Sequence, residues 1–304
     1  MTQYYIDEKD TEKTEKRNNR RTGFIGVILI AFAVTLVGEI LGMIPSLILS
    51  RLTDDGGWRF IFDNYLPFIG SFIVILLYMG IWDRQLFRTA LSPSSGGLKG
   101  NTLKMLLLGL MLGLIMNLIC AAVAVLHGDL KFSVGEFDFV YMLVALLLVA
   151  IQSSTEELIL RCYVFQALKR RYGLIYALIV SSVYFAAMHL GNPGIGFMPM
   201  LDLVLWGILF ALMMHYFDSL WFVCMVHTAW NYTQNFLLGL PNSGLVSERS
   251  FLHLEAAKSS IFYDFDFGIE GGLTSIIEMV ILTALILAWA KKFRQSDADD
   301  SDIQ

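Results

Sequence analysis

Three charged side chains lie within an apolar stretch of the chain, residues 153–165, whose sequence is SSTEELILRCYVF. A carboxylate or a guanidinium near the centre of a bilayer costs at least about 2.5 to 3.5 kcal/mol on insertion scales, so each one is a candidate for a functional role. Glu157 and Arg161 are four residues apart, which is the spacing of an ion pair on one face of a helix. We therefore predict that these two residues form a pair and have a supporting role.

Glu156 points in another direction, about 100° around the helix from Glu157, because an α-helix has 3.6 residues per turn. The sequence offers it no evident partner on its own helix face. A glutamate in this position is a candidate general base, which removes a proton from a reacting water molecule. Of the two adjacent glutamates, Glu156 is the one for which we predict a chemical role.

Two histidines and an asparagine further along the chain could meet Glu156. His227 and Asn231 are four residues apart, so they share one face of a helix. Phe185 and His189 have the same spacing. A turn joins the predicted helix of Glu156 to that of His189. It lies about 14 residues after Glu156 and about 16 before His189, which correspond to roughly 21 and 24 Å along helices that rise 1.5 Å per residue. We therefore expect the side chains of Glu156 and His189 to lie at a similar depth in the membrane.

The elements that must position these residues are membrane helices. Of the 304 residues, 56% are hydrophobic and 16% are charged, and the mean hydropathy is +0.61. A helix needs about 20 apolar residues to cross a hydrocarbon core of about 30 Å. The sequence therefore predicts an all-α polytopic membrane bundle of about eight transmembrane helices, at residues 24–48, 60–82, 103–126, 138–168, 173–190, 197–216, 219–238 and 273–290.

The distribution of lysine and arginine predicts the orientation of this bundle. If the chain starts inside, 16 of the 22 basic residues fall in inner segments and five in outer ones, with Arg161 left within a span. Cytoplasmic loops carry such an excess of basic residues. We therefore expect a multi-pass protein of the cell membrane with its N- and C-termini in the cytoplasm.

The pattern of charge divides the chain into three parts. Residues 1–22 are predicted as a charged cytoplasmic tail, residues 23–292 as the membrane domain with its motif core at about 138–240, and residues 293–304 as an acidic cytoplasmic tail. The segment 239–272 is longer than a connection requires, and it either lies on the membrane surface or covers an opening. The three cysteines lie within predicted spans and lack the spacing of a disulfide framework. Nothing in the pattern indicates binding to nucleic acid.

The candidate residues form three short motifs, EExxxR, FxxxH and HxxxN, which follow one another on separate predicted helices. In this sequence they are Glu156-Glu157-Leu-Ile-Leu-Arg161, Phe185-Ala-Ala-Met-His189 and His227-Thr-Ala-Trp-Asn231. Over about residues 138–240 the sequence therefore resembles the CAAX-protease and bacteriocin-processing family of intramembrane proteases, which includes the Ras-converting CAAX endopeptidase. The resemblance implies a bundle of about eight spans and an endopeptidase whose substrate is a peptide or a membrane protein within the lipid bilayer.

The resemblance also implies a role for each motif residue. Glu156 would act as the general base on water, and His189 would help to position or polarise that water. His227 and Asn231 would donate hydrogen bonds to the oxyanion that develops on the carbonyl group. The supporting residues would be Glu157, Arg161 and Phe185.

A zinc-dependent form of the same protease is the nearest alternative. Glu156, His189 and His227 offer three ligands of the kind that hold a catalytic zinc ion, with water in the fourth position. Asn231 favours the metal-free form, because an amide is a suitable oxyanion donor and a poor zinc ligand. We therefore expect no cofactor, with zinc as the alternative.

Other classes of protein stay open. A cysteine mechanism would use Cys224 near His227, but a buried cysteine in a span is usually inert. Glu39, Asp202 and Glu278 also fall in or near predicted spans, and such acids can mark the pathway of a transporter. Asp202 and Glu278 lie within about a turn or two of predicted helix ends, where an error in the boundary would place them in water. The sequence also shows no inverted repeat typical of a transporter. A non-hydrolytic immunity or scaffold protein could bind a peptide in the same cavity.

Overall fold

The computed structural model describes residues 22–94, 99–135 and 137–301. The predicted N-terminal tail lies outside these ranges except for Thr22, and so do residues 302–304 of the predicted acidic tail. The helices are α1 (Phe24–Arg51), α2 (Gly56–Asn64), α3 (Phe68–Trp82), α4 (Arg84–Leu91), α5 (Leu103–His127), α6 (Phe139–Glu157), α7 (Phe165–Tyr172), α8 (Leu174–Met188), α9 (Phe197–Phe217), α10 (Leu220–Tyr232) and α11 (Leu273–Ser301).

Six helical segments of the described chain are long and apolar enough to cross a membrane. They are α1, α2 with α3 (Gly56–Trp82), α5, α6 through α7 (Phe139–Tyr172), α9, and the part of α11 from Leu273 to Lys292. The predicted all-α membrane bundle is therefore confirmed. The other two predicted spans correspond to the shorter helices α8 and α10, so the number eight stays a prediction.

Helix α8 is shorter than a membrane is thick. Its 15 residues extend about 22 Å at 1.5 Å per residue, against about 30 Å for a hydrocarbon core. His189 is the residue that directly follows its last turn, and it lines a cavity of the bundle.

The long helix that carries the adjacent glutamates widens directly after them. Leu158–Val164 form a π-helical turn between α6 and α7, and every residue of this turn is buried. Such wide turns are rare and often occur at functional sites. Here the turn contains Arg161, which it holds within the protein and away from lipid.

Helices α1 and α3 cross with very little space between their backbones. A Cβ atom at Gly38 would collide with the backbone of Ser71, and one at Gly42 would collide with the carbonyl group of Pro67. Small residues allow helices to approach in this way, and van der Waals contact is a main source of helix association in membranes. The crossing therefore fixes the rotation of α1 around its axis.

The segment 239–272 contains a strand and is fastened to the helices. Its strand β2 (Leu252–Ala257) pairs antiparallel with β1 (Leu130–Val134), a ribbon that the sequence analysis does not predict. Arg249 forms ion pairs with Asp55 and Asp138. These aspartates cap the N-termini of α2 and α6, so Arg249 links the segment to both helices.

Candidate active site

The four residues with predicted catalytic roles line one cavity of about 230 Å³. They are Glu156, His189, His227 and Asn231, and Phe185 of the second motif lines the same cavity. They reach it from three helical segments: the end of α6, the end of α8, and α10. The three motifs, separate in sequence, therefore meet at one place.

Glu156 is buried but keeps one carboxylate oxygen free. Its Oε1 accepts a hydrogen bond of 2.6 Å from Nε2 of Gln152. Its Oε2 has no hydrogen-bond partner among the described residues, although the side chain lines the cavity. The expectation that Glu156 lacks a partner on its own face was wrong, because Gln152 lies one helical turn before it.

Gln152 connects Glu156 to Asn231. Its Oε1 accepts a hydrogen bond of 3.2 Å from Nδ2 of Asn231, while its Nε2 donates to Glu156. A carboxylate without a proton only accepts, so this contact fixes which end of the Gln152 amide faces Glu156. The sequence analysis missed Gln152, and its spacing of four residues from Glu156 was the signal that could have identified it.

His227 lies between the two adjacent glutamates. Its Nδ1 is 2.9 Å from Oε1 of Glu157, and its Nε2 is 3.8 Å from Oε2 of Glu156. The shorter contact is a hydrogen bond in which Nδ1 carries the proton, because the carboxylate supplies the acceptor. The longer one exceeds hydrogen-bond length, so Nε2 remains available to a ligand in the cavity.

The ion pair that the spacing predicts between Glu157 and Arg161 is present. Arg161 donates from Nη1 to Oε1 of Glu157 at 3.2 Å, and its Nε lies 3.2 Å from Oε2. Both side chains are fully buried. The guanidinium carbon of Arg161 also lies 4.5 Å from the ring centre of Phe185 and 5.1 Å from that of Phe210. Aromatic faces attract a cation at such distances, which gives Phe185 a supporting contact.

His189 is oriented by the backbone of its own helix. Its Nδ1 lies 2.9 Å from the carbonyl oxygen of Phe185. Since a carbonyl oxygen only accepts, Nδ1 carries the proton, and Nε2 of the neutral ring is an acceptor. His189 therefore presents to the cavity an atom that can accept a hydrogen bond from water.

The segment 239–272 covers part of the cavity, which is one of the two positions that the sequence left open. Asn242, Ser243 and Glu270 of this segment line it. Glu270 accepts hydrogen bonds from Nε1 of Trp230 at 2.9 Å and from the backbone N–H of Ser243 at 2.7 Å. Burial raises the pKa of the Glu270 carboxyl, while these hydrogen bonds act in the opposite direction. The sequence analysis assigned no role to this segment.

The acids that favoured a transporter occupy different environments. Asp202 is fully buried and accepts a hydrogen bond from the Ser275 hydroxyl at 2.9 Å. Oε2 of Glu278 accepts from the thiol of Cys120 at 3.4 Å. Asp202 is therefore closed off from water, whereas Glu278 is only partly buried. Glu39, for which the sequence offered no explanation, lines the same cavity as Glu156.

The three candidate zinc ligands, Glu156, His189 and His227, line the same cavity. In the part of the chain that the structure describes, no group of three or more His, Cys, Asp or Glu side chains is arranged to hold a metal ion. Whether the site uses zinc or no cofactor stays a prediction.

Cys224 does not line the cavity, although it lies one turn before His227 on α10. It is buried and free, like the other two cysteines. A cysteine mechanism therefore has no geometric support in the arrangement of these side chains.

Comparison with known proteins identifies the region that carries the site. Residues 136–233 match the model of a family described as Type II CAAX prenyl endopeptidase Rce1-like. No curated protein and no solved structure matches the chain. The matched region contains all three motifs, and the match supports an intramembrane protease. Residues 136–233 are thus similar to the Rce1-like type II CAAX prenyl endopeptidases, in agreement with the family that the motifs indicate.

Proposed function

We propose that the protein is an intramembrane endopeptidase that hydrolyses a peptide bond in a membrane-associated peptide or protein. One observation carries the proposal. Glu156 lines a cavity together with His189, His227 and Asn231, and its buried carboxylate oxygen Oε2 has no hydrogen-bond partner among the described residues. A general base must have a free acceptor within reach of the water that it activates.

Glu156 and His189 activate the water in this scheme. Gln152 occupies Oε1 of Glu156, so the water proton passes to Oε2. Nε2 of His189 accepts the second hydrogen of the same water, because Nδ1 already donates to the Phe185 carbonyl. Two acceptors leave a lone pair of the water oxygen free to attack the carbonyl carbon of the peptide. Glu156 then passes its proton to the amine that leaves as the C–N bond breaks.

Asn231 and His227 stabilise the oxyanion. One N–H of the Asn231 amide donates to Gln152, and the second is available to the developing charge. His227 uses Nδ1 to donate to Glu157, so it can donate from Nε2 only when both nitrogens carry a proton. The carboxylate of Glu157 accepts the hydrogen bond from Nδ1 and so orients the ring of His227. This adds a role for Glu157 beside its pairing with Arg161.

Replacing Asn231 with alanine is expected to lower kcat by about 10²- to 10³-fold with little change in KM, because an oxyanion donor acts mainly in the transition state. Thr228→Ala on the same helix is the matched control. Its hydroxyl donates to the Cys224 carbonyl, and it does not line the cavity. Steady-state cleavage of a quenched peptide by both variants tests the role. A change confined to KM would refute it.

Removal of metal ions is expected to leave cleavage unchanged, because the proposed chemistry uses the side chains of Glu156, His189, His227 and Asn231. The measurement is the cleavage rate of the purified protein after dialysis against a chelator, with and without added Zn²⁺. Loss of activity that Zn²⁺ restores would replace this scheme with the zinc-dependent one.

The proposed function as a whole is tested with the full chain reconstituted in liposomes. Internally quenched peptides with an apolar membrane-binding segment, half of them prenylated, are supplied as substrates. Mass spectrometry of the products locates the cleaved bond and separates prenyl-dependent from prenyl-independent cleavage. Ion flux without cleavage of any peptide would favour a transporter instead.

A further inference from the structure

Glu39 is a carboxylate in the middle of a membrane helix, without a partner among the residues that the structure describes. It lies near the midpoint of α1 (Phe24–Arg51) and lines the same cavity as Glu156. No described residue forms a hydrogen bond or an ion pair with it. An acid at this depth costs at least about 2.5 to 3.5 kcal/mol on insertion scales, and such residues usually face a cavity or a substrate pathway. The catalytic scheme above does not use Glu39.

The backbone around Glu39 is held in place. Gly38 and Gly42 pack directly against α3, at Ser71 and Pro67, and neither position has room for a Cβ atom. Rotation of α1 would break this contact. The packing therefore keeps the half-buried Glu39 on the side of α1 that lines the cavity.

The cavity offers hydrogen-bond acceptors and negative charge. Its lining includes three glutamates, Glu39, Glu156 and Glu270, and no lysine or arginine among the described residues. Two residues of the lining, Glu156 and Asn242, each have a buried side-chain oxygen, Oε2 and Oδ1, without a hydrogen-bond partner in the described parts of the chain. A ligand that satisfies such a site must donate hydrogen bonds, and a cationic one would also balance the charge.

We propose that Glu39 is a specificity-determining residue that binds a lysine or arginine side chain of the substrate close to the bond that is cleaved. This inference rests on the proposed function, because it names the class of peptide that the same cavity accepts. Oε2 of Glu156 is reserved for water, so Glu39 is the carboxylate left for the cation. A peptide with an acidic side chain at the same position is rejected by charge repulsion.

Two other roles of Glu39 give different results in one experiment. A structural acid would bind groups of its own bundle, and its loss would affect every substrate equally. An acid that carries protons to and from Glu156 would also act on every substrate. Loss of a residue that binds a cation slows the cleavage of cationic substrates most. The ratio of the cleavage rates of a cationic and a neutral peptide therefore identifies this role.

The experiment compares quenched peptides that differ at one position, which carries lysine, norleucine or glutamate. This position is varied in turn over the three residues on each side of the cleaved bond. At one position the wild type is expected to cleave the lysine peptide about 10- to 100-fold faster than the norleucine peptide in kcat/KM, the range of a hydrogen bond to a charged group. Glu39→Gln brings this ratio close to unity, and Glu39→Lys favours the glutamate peptide. Glu278→Gln, the same change in a membrane helix away from the cavity, leaves the ratio at the wild-type value.

Binding separates failure of this inference from failure of the proposed function. The lysine and norleucine peptides are titrated against Glu156→Gln protein and against the Glu39→Gln/Glu156→Gln double variant. If the lysine peptide binds more tightly than the norleucine peptide in a way that depends on Glu39, but the wild type cleaves neither, the proposed protease function is refuted and the cation site is retained. A ratio that Glu39→Gln does not change, an equal loss for all three peptides, or no binding at all would overturn the cation site.

Discussion

Replacing Glu156 with glutamine is expected to reduce peptide cleavage by about 10²- to 10⁴-fold, the usual contribution of a general base. Glutamine has the same shape and keeps an oxygen that can accept the hydrogen bond from Gln152. It cannot take a proton from water, so chemistry is lost while the cavity keeps its form. The measurement is kcat for a quenched peptide in liposomes, together with peptide affinity, which should stay close to the wild-type value.

Two further variants make the Glu156 result specific. Cys224→Ser removes the thiol nearest to His227 in sequence and is expected to retain activity, because this side chain does not line the cavity. Glu278→Gln repeats the glutamate substitution at a site away from the cavity. Normal cleavage by Glu156→Gln would show that the proposed mechanism is wrong, and loss of cleavage in Cys224→Ser would favour a cysteine mechanism.

Helix periodicity accounts for the part of the site that could be predicted. The pair Glu157–Arg161 and the shared face of His227 and Asn231 lie within single helices, where spacing of four residues determines proximity. That Glu156 and His189 lie at similar depth followed from counting residues on both sides of one turn. These predictions need only helix geometry and no knowledge of how the helices pack.

The partner of His227 was not predictable in this way. Its Nδ1 meets Glu157 across the contact between α10 and α6. Periodicity tells which residues share a face of a helix, but not which neighbouring helix that face meets. Glu157 therefore has two contacts, Arg161 within its helix and His227 across the bundle, where the sequence predicted one.

The covering segment shows the same limit at longer range. Glu270 lies 40 residues from Trp230 along the chain, yet the two side chains form a hydrogen bond of 2.9 Å. The mixed polar and aromatic sequence of 239–272 has no clear period, so it did not indicate which of its residues turn inwards. The burial of Asp202 was not predictable for a related reason, since distance from a predicted helix end does not indicate burial against another helix.

Breaking the buried ion pair is expected to cause the largest loss of stability. Glu157→Ala leaves the guanidinium of Arg161 without its partner in a fully buried position. Removing one member of a buried pair costs about 3 to 5 kcal/mol, because an uncompensated charge remains. The midpoint of thermal unfolding in detergent should fall strongly. Arg161→Met should have a similar effect, since it leaves the Glu157 carboxylate with His227 alone among the groups bonded to it here.

The double variant Glu157→Gln/Arg161→Met separates charge from packing. It removes both charges, and a glutamine oxygen can still accept the hydrogen bond from Nδ1 of His227. Most of the stability should return, because replacing a buried pair by residues of similar volume is often neutral. Cleavage should stay low, since the carboxylate that contacts the oxyanion donor His227 is replaced by a neutral amide. Glu255→Ala, which breaks the exposed pair with Lys131, is the matched control and should leave the unfolding midpoint unchanged. If the double variant is as unstable as the single variants, the loss of stability does not come from an uncompensated charge. The packing around Arg161 would then be what stabilises this region.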